Sequence, residues 1–501
     1  MRRIFYKIAI SLAVFILVGA CKKDYLNTLP TDSVSQTAAF TTTGNALMAL
    51  NGLHRAMYNQ YSNQDEGGYG TLLIDNDALG DDVVMTTAGN GWFNTQYQWT
   101  NHRNALGSLP NYAYRFYYII IANANMIINN IDKATGPDDK NNIKGQALAY
   151  RAWAHFNLVQ LFGSRYDATN PSNPQLGVPI MLTNSTAGLP RNTVGEVYAQ
   201  INSDLDAAIG LLANVAKRPN RSHISVNVAQ GIKARVALTQ QDWANASKYA
   251  ILARSGYVND AIPPTLMNAA TYQLGFNDYN NAEWLWGSYV QTDQTLYYYS
   301  FFAYMSENFS STNIRSNPKA INSTLYNTIS ATDVRKKLWD PTGTAYTVPL
   351  PTFVKKPYMN IKFLAISSGD SRGDVCNMRA SEMYLIEAEA KARLNDFPGA
   401  ATALYTMVVA RDPSYVKSVL TGQALIDEIL TQRRVELWGE GFRFLDLKRL
   451  NLPLNRNGAN HQVGLCNVMD IPAGDVRWQF LIPQAEINAN QAIKNQQNPL
   501  Q

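Results

Sequence analysis

Apolar residues recur every three to four positions along much of the chain. Between Asn45 and Tyr61 the apolar positions are Leu47, Leu50, Leu53, Met57 and Tyr58. This spacing is close to the 3.6-residue period of an α-helix that buries one face. The same pattern predicts three more helices, over residues 111–131, 139–162 and 194–212. Residues 163–193 contain four prolines, which interrupt helices and predict a long loop.

Two segments carry the same pattern of small and aromatic residues. GIKARVALTQQDWANASKYA (231–250) and LIEAEAKARLNDFPGAATAL (385–404) align without a gap. The matched pairs are Ala234 with Ala388, Asp242 with Asp396, Trp243 with Phe397, and Ala246 with Ala400. Small residues on both sides of a short turn resemble the tetratricopeptide repeat, in which they allow two helices to pack closely. A generic helical hairpin of Ala-rich composition would produce the same pattern.

Residues 257–375 have a different character. Seven prolines and few stretches with the helical period predict loops, short strands and isolated helices there. We therefore expect a single body at 41–501, in which residues 41–256 and 376–501 form a helical scaffold. The 257–375 insertion is expected to supply its loop-rich, ligand-binding face.

The first twenty residues have the order of a secretory signal. Three cations come first, an uncharged run from Ile8 to Val18 follows, and small residues precede Cys21. As a helix this run would rise only ~16 Å, about half of a bilayer core, so it is too short to span a membrane. We predict that residues 1–20 are a signal peptide cleaved before Cys21.

Cys21 itself is predicted to be a lipid anchor. Val18-Gly19-Ala20-Cys21 resembles the lipobox of bacterial lipoproteins, whose cysteine receives several acyl chains. More than one chain gives stable membrane attachment. Residues 21–40 then form a lipidated tether and entry strip. The spacing of Cys376 and Cys466 does not indicate a disulfide, although the compartment would permit one.

Charge narrows the range of partners. The chain has 43 Lys and Arg against 38 Asp and Glu, a net charge of +5. Without the three cations of the signal the balance is 40 against 38, or +2. A nearly neutral surface gives no reason to expect nucleic acid as a partner. The 28 tyrosines outnumber the 17 phenylalanines, which suits a wet contact surface as well as a core.

Catalytic and metal motifs are sparse. The five histidines lack zinc-site spacing, so no metal site is predicted, and no nucleophile or phosphate-binding motif occurs. One catalytic alternative stays open, because a glycosidase needs only two carboxylates at a suitable separation. The Asp75–Asp82 cluster contains four aspartates that qualify. An Asp-rich loop that caps helices explains the cluster equally well.

Aromatic rings beside carboxylates also suit a sugar ligand. Carboxylates accept hydrogen bonds from hydroxyl groups, and an indole ring covers the apolar face of a pyranose. Trp284 and Trp286 would lie on the same side of an extended segment, and core packing explains them equally well. The candidate ligand-binding residues are Asp81, Asp82, Trp92, Trp99, Trp284, Trp286, Tyr297 and Tyr298.

The segment QRRVELWGEGFRFLDLKRL (432–450) has the densest pattern of charge. On one continuous helix, four pairs would meet at i,i+3: Arg433 with Glu436, Glu440 with Arg443, Arg443 with Asp446, and Asp446 with Arg449. Interleaved apolar residues indicate that these pairs are structural and not catalytic. Gly439 and Gly441 are the positions where the helix would break.

Four segments in chain order resemble the SusD/RagB family of outer-membrane nutrient-binding lipoproteins. They are the entry strip with the first helix (21–58), RASEMYLIEAEAKARLND (379–396), the 432–450 segment, and FLIPQAEINANQAIKNQQNP (480–499).

The resemblance implies a mostly α-helical fold of tetratricopeptide-like pairs with a loop-rich, irregular face. It also implies non-catalytic capture of an oligosaccharide at the surface of the outer membrane, and delivery to a TonB-dependent transporter of the SusC type. No cofactor is implied. The binding residues of the family vary, so no position is carried over from it. A peptide or glycopeptide ligand is the alternative within the family, and a scaffold with only protein ligands is another.

Overall fold

The structure is a computed structural model. It describes residues 40–185, 187–215, 218–255, 264–291, 298–345 and 353–500. The predictions for the signal peptide, for Cys21, for residues 22–39 of the tether and for Tyr297 therefore lie outside the described residues.

Helices dominate the described residues, as the sequence predicts. In chain order they are α1 (Thr43–Ala56), α2 (Tyr69–Ala78), α3 (Asn94–Tyr97), α4 (Ser108–Asn130), α5 (Lys140–Phe162), α6 (Val194–Leu212), α7 (Val226–Gln240), α8 (Trp243–Arg254), α9 (Phe301–Met305), α10 (Thr312–Ser316), α11 (Ser323–Asn327), α12 (Ala380–Arg393), α13 (Phe397–Val408), α14 (Gly422–Glu436), α15 (Arg443–Leu450), α16 (Val463–Cys466) and α17 (Gln484–Ala489). In this part of the chain, none of them is long and apolar enough to cross a bilayer.

Capping residues set where the predicted helices begin. Thr42 precedes α1, and its side chain accepts a hydrogen bond from the backbone N–H of Asn45. Asp139 does the same for α5. At α6, Thr193 and Glu196 form a reciprocal capping box. Each cap satisfies N–H groups that the first helical turn leaves without a partner. The four predicted helices are therefore confirmed, with α1 ending earlier than predicted.

The internal repeat forms two helix pairs, α7 with α8 and α12 with α13. Gln241 and Asn395 adopt left-handed φ angles of 59° and 63° in the two turns. Asp242 and Asp396 then cap the second helix of each pair. Consecutive helices from α4 to α8 pack one against the next, and α12 packs on α8. The four matched alanines are buried: Ala234, Ala246, Ala388 and Ala400.

The strands of the described residues are short and antiparallel. They are β1 (Val83–Met85), β2 (Trp284–Ser288), β3 (Lys319–Ile321), β4 (Trp339–Asp340), β5 (Met359–Asn360), β6 (Val375–Arg379), β7 (Leu454–Asn455) and β8 (Asp470–Ile471). They pair in the orders β1-β3-β5-β4, β2-β6 and β7-β8. Helices α9, α10 and α11 have five residues each. The insertion thus contains the loops, short strands and isolated helices that its prolines predict.

Both parts of the chain contribute to one hydrophobic core. Its buried members run from Phe40 to Ile493 and include side chains of the insertion. A smaller apolar cluster lies among α12, α13 and α14. Cys376 and Cys466 are both free thiols.

The helical segment 432–450 breaks at the two glycines where the sequence places a break, so most pairs expected on a continuous helix do not form. Helix α14 ends at Glu436 and α15 begins at Arg443, while Gly439 and Gly441 between them have φ angles of 77° and 82°. Of the four predicted i,i+3 pairs, the described contacts contain only the pair between Asp446 and Arg449. Arg433 instead pairs with Asp446 across the break, at 2.7 Å. Distant parts of the chain supply the partners of Arg434, Glu436, Glu440 and Arg443.

Candidate ligand-binding site

The two aspartates predicted to contact a ligand are buried in ion pairs. Asp81 is 4% exposed and Asp82 is 2% exposed. Arg443 Nε donates to Asp81 Oδ1 at 2.5 Å, and Arg434 Nη2 donates to Asp82 Oδ1 at 2.6 Å. Burial alone would raise the pKa of Asp81, but the guanidinium groups of Arg443, Arg434 and Arg456 together outweigh it and lower this pKa to about 2. In the structure both carboxylates join the start of β1 to α14 and α15.

Asp75 and Asp77, the other aspartates of the cluster, are also buried. Burial raises the pKa of Asp77 to about 8, and its Oδ2 accepts a hydrogen bond from the backbone N–H of Gly441 at 2.7 Å. The cavity beside Asp77 and Asp82 has a volume of about 10 Å³, enough for one water molecule. A glycosidase must place a sugar between its two carboxylates. The described structure has no such space here, so the glycosidase alternative loses its support.

Three of the candidate tryptophans lie in the core. Trp99, Trp284 and Trp286 are 1–3% exposed. The indole N–H of Trp99 donates to the backbone oxygen of Leu79 at 2.9 Å. That of Trp286 donates to the backbone oxygen of Ser222 at 3.2 Å. These rings therefore match the core alternative that the sequence left open, and the structure does not bring them to a common surface with Trp92.

Trp92 and Tyr298 keep exposed surface. Trp92 is half-buried, and Tyr298 is 45% exposed. The Trp92 ring lies edge-on to Tyr304, with centroids 6.4 Å apart. Tyr304 donates its hydroxyl to the backbone oxygen of Gln64 at 2.8 Å, and Gln64 Nε2 donates to the backbone oxygen of Tyr298 at 3.2 Å. Buried Tyr304 therefore links the Trp92 ring to Gln64, and Gln64 contacts the backbone of Tyr298.

We name this area the Trp92 surface and define it by Gln64, Asp65, Asn90, Trp92 and Tyr298. Asp65 is half-buried and accepts a hydrogen bond from the Ser108 hydroxyl at 3.4 Å. Burial raises the pKa of its carboxyl group. Asn90 is exposed. The surface therefore combines two aromatic rings with amide and carboxyl groups that can donate or accept hydrogen bonds.

The loop that carries Trp92 is held in one conformation. Gly91 and Phe93, on either side of the ring, have φ angles of 93° and 63°. The Asn317 side-chain oxygen accepts hydrogen bonds from the backbone N–H groups of Thr86 and Thr87. A left-handed φ at a phenylalanine is uncommon and requires support from its surroundings. Trp92 is thus presented on a fixed turn.

The sequence analysis missed Gln64, Asp65 and Asn90 of this surface, and also Tyr304, which supports it. Tyr304 lies in the aromatic-rich segment near Tyr298, and the density of aromatic residues in that segment could have indicated it. Gln64 gave no signal, because its role depends on contacts with residues 234 and 240 positions away.

The fold and this surface define a class of protein: a helical-repeat scaffold that presents ring and amide groups on an irregular face. Residues 25–238 match the family described as starch-binding associating with outer membrane. Residues 237–500 match the SusD family. The chain belongs to the SusD family, which confirms the resemblance and the helical fold that it implies.

Solved structures agree with this assignment. A SusD-like carbohydrate binding protein from Bacteroides vulgatus is 27% identical, with a TM-score of 0.78 over 90% of this chain and 97% of the other. A SusD superfamily protein from Bacteroides thetaiotaomicron is 26% identical, with a TM-score of 0.74 over 91% and 100%. Surface glycan-binding protein A from the same species, at 16% identity and a TM-score of 0.68 over 92% and 99%, shares the fold. No curated protein matches.

Proposed function

We propose that this protein is a lipid-anchored, cell-surface glycan-binding protein of the outer membrane. It captures an oligosaccharide without catalysis and delivers it to a SusC-like TonB-dependent transporter. The observation that carries the proposal is the Trp92 surface, where Trp92 and Tyr298 expose rings beside amide and carboxyl groups. The description of the family that residues 25–238 match, starch-binding associating with outer membrane, supports the same ligand class and location.

The geometry of the Trp92 surface suits a sugar chain. A pyranose has an apolar C–H face that packs on an indole or phenol ring, and a rim of hydroxyl groups. Trp92 supplies such a ring on a fixed turn, so little conformational entropy is lost on binding. Gln64, Asp65 and Asn90 supply donors and acceptors at the edge. The surface needs no bound cofactor or metal for this task.

Isothermal titration with neutral oligosaccharides tests the proposal. The panel contains six-residue chains of the gluco-, xylo- and manno- series. We expect Trp92→Ala to weaken the binding of the chain that the wild type binds by about 1 to 3 kcal/mol, the range for an aromatic anchor. Trp243→Ala is the matched control, since Trp243 is also half-buried but lies on α8 under Arg393. It should bind as the wild type does.

Two results would contradict the proposal. If the wild type binds none of the oligosaccharides in the panel, a glycan ligand is excluded. Binding of short peptides at the Trp92 surface would then favour the peptide or glycopeptide alternative. Equal loss of affinity in the Trp92→Ala and Trp243→Ala variants would show that the effect is general and not local.

A further inference from the structure

A groove of about 1000 Å³ runs along the outer face of α4. Its floor includes Tyr114, Tyr118 and Ile119, which are spaced to lie on one side of the helix. Residues 179–185 form one wall, and residues 483–490 form the opposite wall. A mostly apolar concavity of this size with a few polar groups is typical of a ligand site. None of the candidate residues that the structure describes lines it.

Hydrogen bonds from α4 hold the first wall in place. Tyr118 donates its hydroxyl to the backbone oxygen of Pro179 at 2.8 Å. Asn125 Nδ2 donates to the backbone oxygen of Met181 at 2.9 Å. These side chains stand one above another along the helix and fix the extended segment beside it. The groove is therefore formed before any ligand binds, which lowers the entropic cost of binding.

Charged groups at the rim indicate the chemistry of the ligand. The Arg115 side chain is 45% exposed and is paired with Glu66. Glu486 is half-buried and accepts a hydrogen bond from Asn490 at 3.0 Å. Burial raises the pKa of Tyr114, and the charge of nearby Glu486 raises it further. A purely apolar partner would desolvate Arg115 and Glu486 without compensation. A sugar chain places C–H faces on the floor and hydroxyl groups at this rim.

One loop separates the groove from the Trp92 surface. Asn63 and Glu66 line the groove, whereas Gln64 and Asp65 between them belong to the Trp92 surface. Glu66 is fixed by Arg115, and Gln64 by its contact with the backbone of Tyr298. The two surfaces are therefore neighbours on opposite sides of the same loop.

We infer that the groove along α4 is a second saccharide-binding site, which takes a further part of the neutral chain held at the Trp92 surface. This inference rests on the proposed function. A ligand that reaches both sites gains affinity because its second contact is intramolecular. Affinity should therefore rise with chain length beyond the length that the Trp92 surface accommodates.

Filling the groove tests this inference. Ala122 lines the groove, and the next residue, Asn123, is exposed and lies outside the lining. The dissociation constants of gluco-, xylo- and manno-oligosaccharides of two to eight units are measured by titration. In the series that the wild type binds, we expect Ala122→Trp to raise the dissociation constant of the eight-unit chain about tenfold. The dissociation constant of the shortest chain that binds should not change. Asn123→Trp, the matched control, should change neither.

A second variant and a second measurement keep the test independent of folding. Ala489→Trp fills the groove from the opposite wall and should have the same effect as Ala122→Trp, with an unchanged melting temperature in each variant that is compared. The eight-unit chain should also slow hydrogen–deuterium exchange at residues 179–185.

The outcomes separate the two proposals. If Trp92→Ala weakens binding, but both filling variants bind every length normally and residues 179–185 gain no protection, the groove is overturned and the proposed function stands. If only the filling variants lose affinity, the groove is a saccharide site by itself, and both the Trp92 surface and the sharing of one chain between the two sites are overturned. If the wild type binds no oligosaccharide of the panel, both are overturned.

Discussion

At the scale of single residues, buried charge joins the insertion to the helical scaffold. Glu436 is fully buried and accepts hydrogen bonds from Arg379 at 2.6 Å, Arg411 at 2.9 Å and Arg335 at 3.1 Å. Charges taken out of water are tolerated only where partners compensate them. Arg379 and Arg411 also pair with Glu283, which adds the second negative charge that the arginines need. These groups therefore serve the fold.

Asp77 gives the stability of the protein a specific pH dependence. Its folded-state pKa is about 8, above the ordinary value of 3.8, because of burial. Between these two values the folded protein holds a proton that the unfolded chain has released. The free energy of unfolding therefore falls as the pH rises through this window, by about 1.4 kcal/mol per pH unit from this group.

Replacing Asp77 with asparagine removes that proton while keeping a side-chain oxygen for the Gly441 N–H. We expect Asp77→Asn to gain stability relative to the wild type between pH 5 and pH 8, measured by urea unfolding at both pH values. Asp427→Asn, at an exposed position on α14, is the control and should show no such gain. The same difference between wild type and Asp77→Asn at both pH values would contradict the assignment.

The sequence cannot separate residues of the candidate site from residues of the core when their surroundings along the chain are alike. Trp92 and Trp99 belong to the same aromatic stretch, yet one ring is half-buried and the other is 3% exposed. Asp81 finds its arginine 362 positions away. The local density of rings and carboxylates carries no information about such distant partners. Part of the predicted site therefore lies in the core.

At the scale of elements, the sequence predicts more, because the determinants are local. The boundaries of α5 and α6 follow from Asp139 and Thr193, which cap the helix next to them. The repeated turns follow from Asp242 and Asp396. The break between α14 and α15 was also visible in its glycines. The contacts of the charged side chains on either side of that break were not visible in the sequence, because their partners lie in other elements.

Substitution of Gly441 tests how tightly the turn between α14 and α15 packs against α2. Its φ is 82°, and an added Cβ would lie 2.8 Å from the Cα of Leu73 in α2. Gly458 has a φ of 72° with nothing within 4 Å of such a Cβ, which makes it the matched control. Gly458→Ala should cost about 1 to 2 kcal/mol for the left-handed conformation alone. Gly441→Ala should cost distinctly more, because α2 must shift. Equal costs in urea unfolding would show that the contact with Leu73 is relaxed without penalty.

At the scale of the whole molecule, one core connects the helix pairs, the insertion and the closing segment. Arg191 contributes to this closure by donating to the backbone oxygen of Gln496 at 2.7 Å and to the side-chain oxygen of Asn498 at 2.9 Å. The two proposed saccharide surfaces therefore sit on a body with a shared core. Such a body can hold both parts of a glycan chain in a fixed relation.

Cys21 is the proposed point of attachment, and Phe40 is the first described residue of the core. Cys21→Ser should therefore abolish incorporation of labelled palmitate and move the protein from the membrane fraction to the soluble fraction. Its melting temperature should not change, because the acyl chains of an anchor insert into the membrane and not into the protein. Cys376→Ser is the control, since that thiol lies in β6 within the body, and this variant should stay labelled and membrane-bound. Membrane retention of the Cys21→Ser variant would overturn the lipid anchor. Release accompanied by a lower melting temperature would mean that the tether packs against the body.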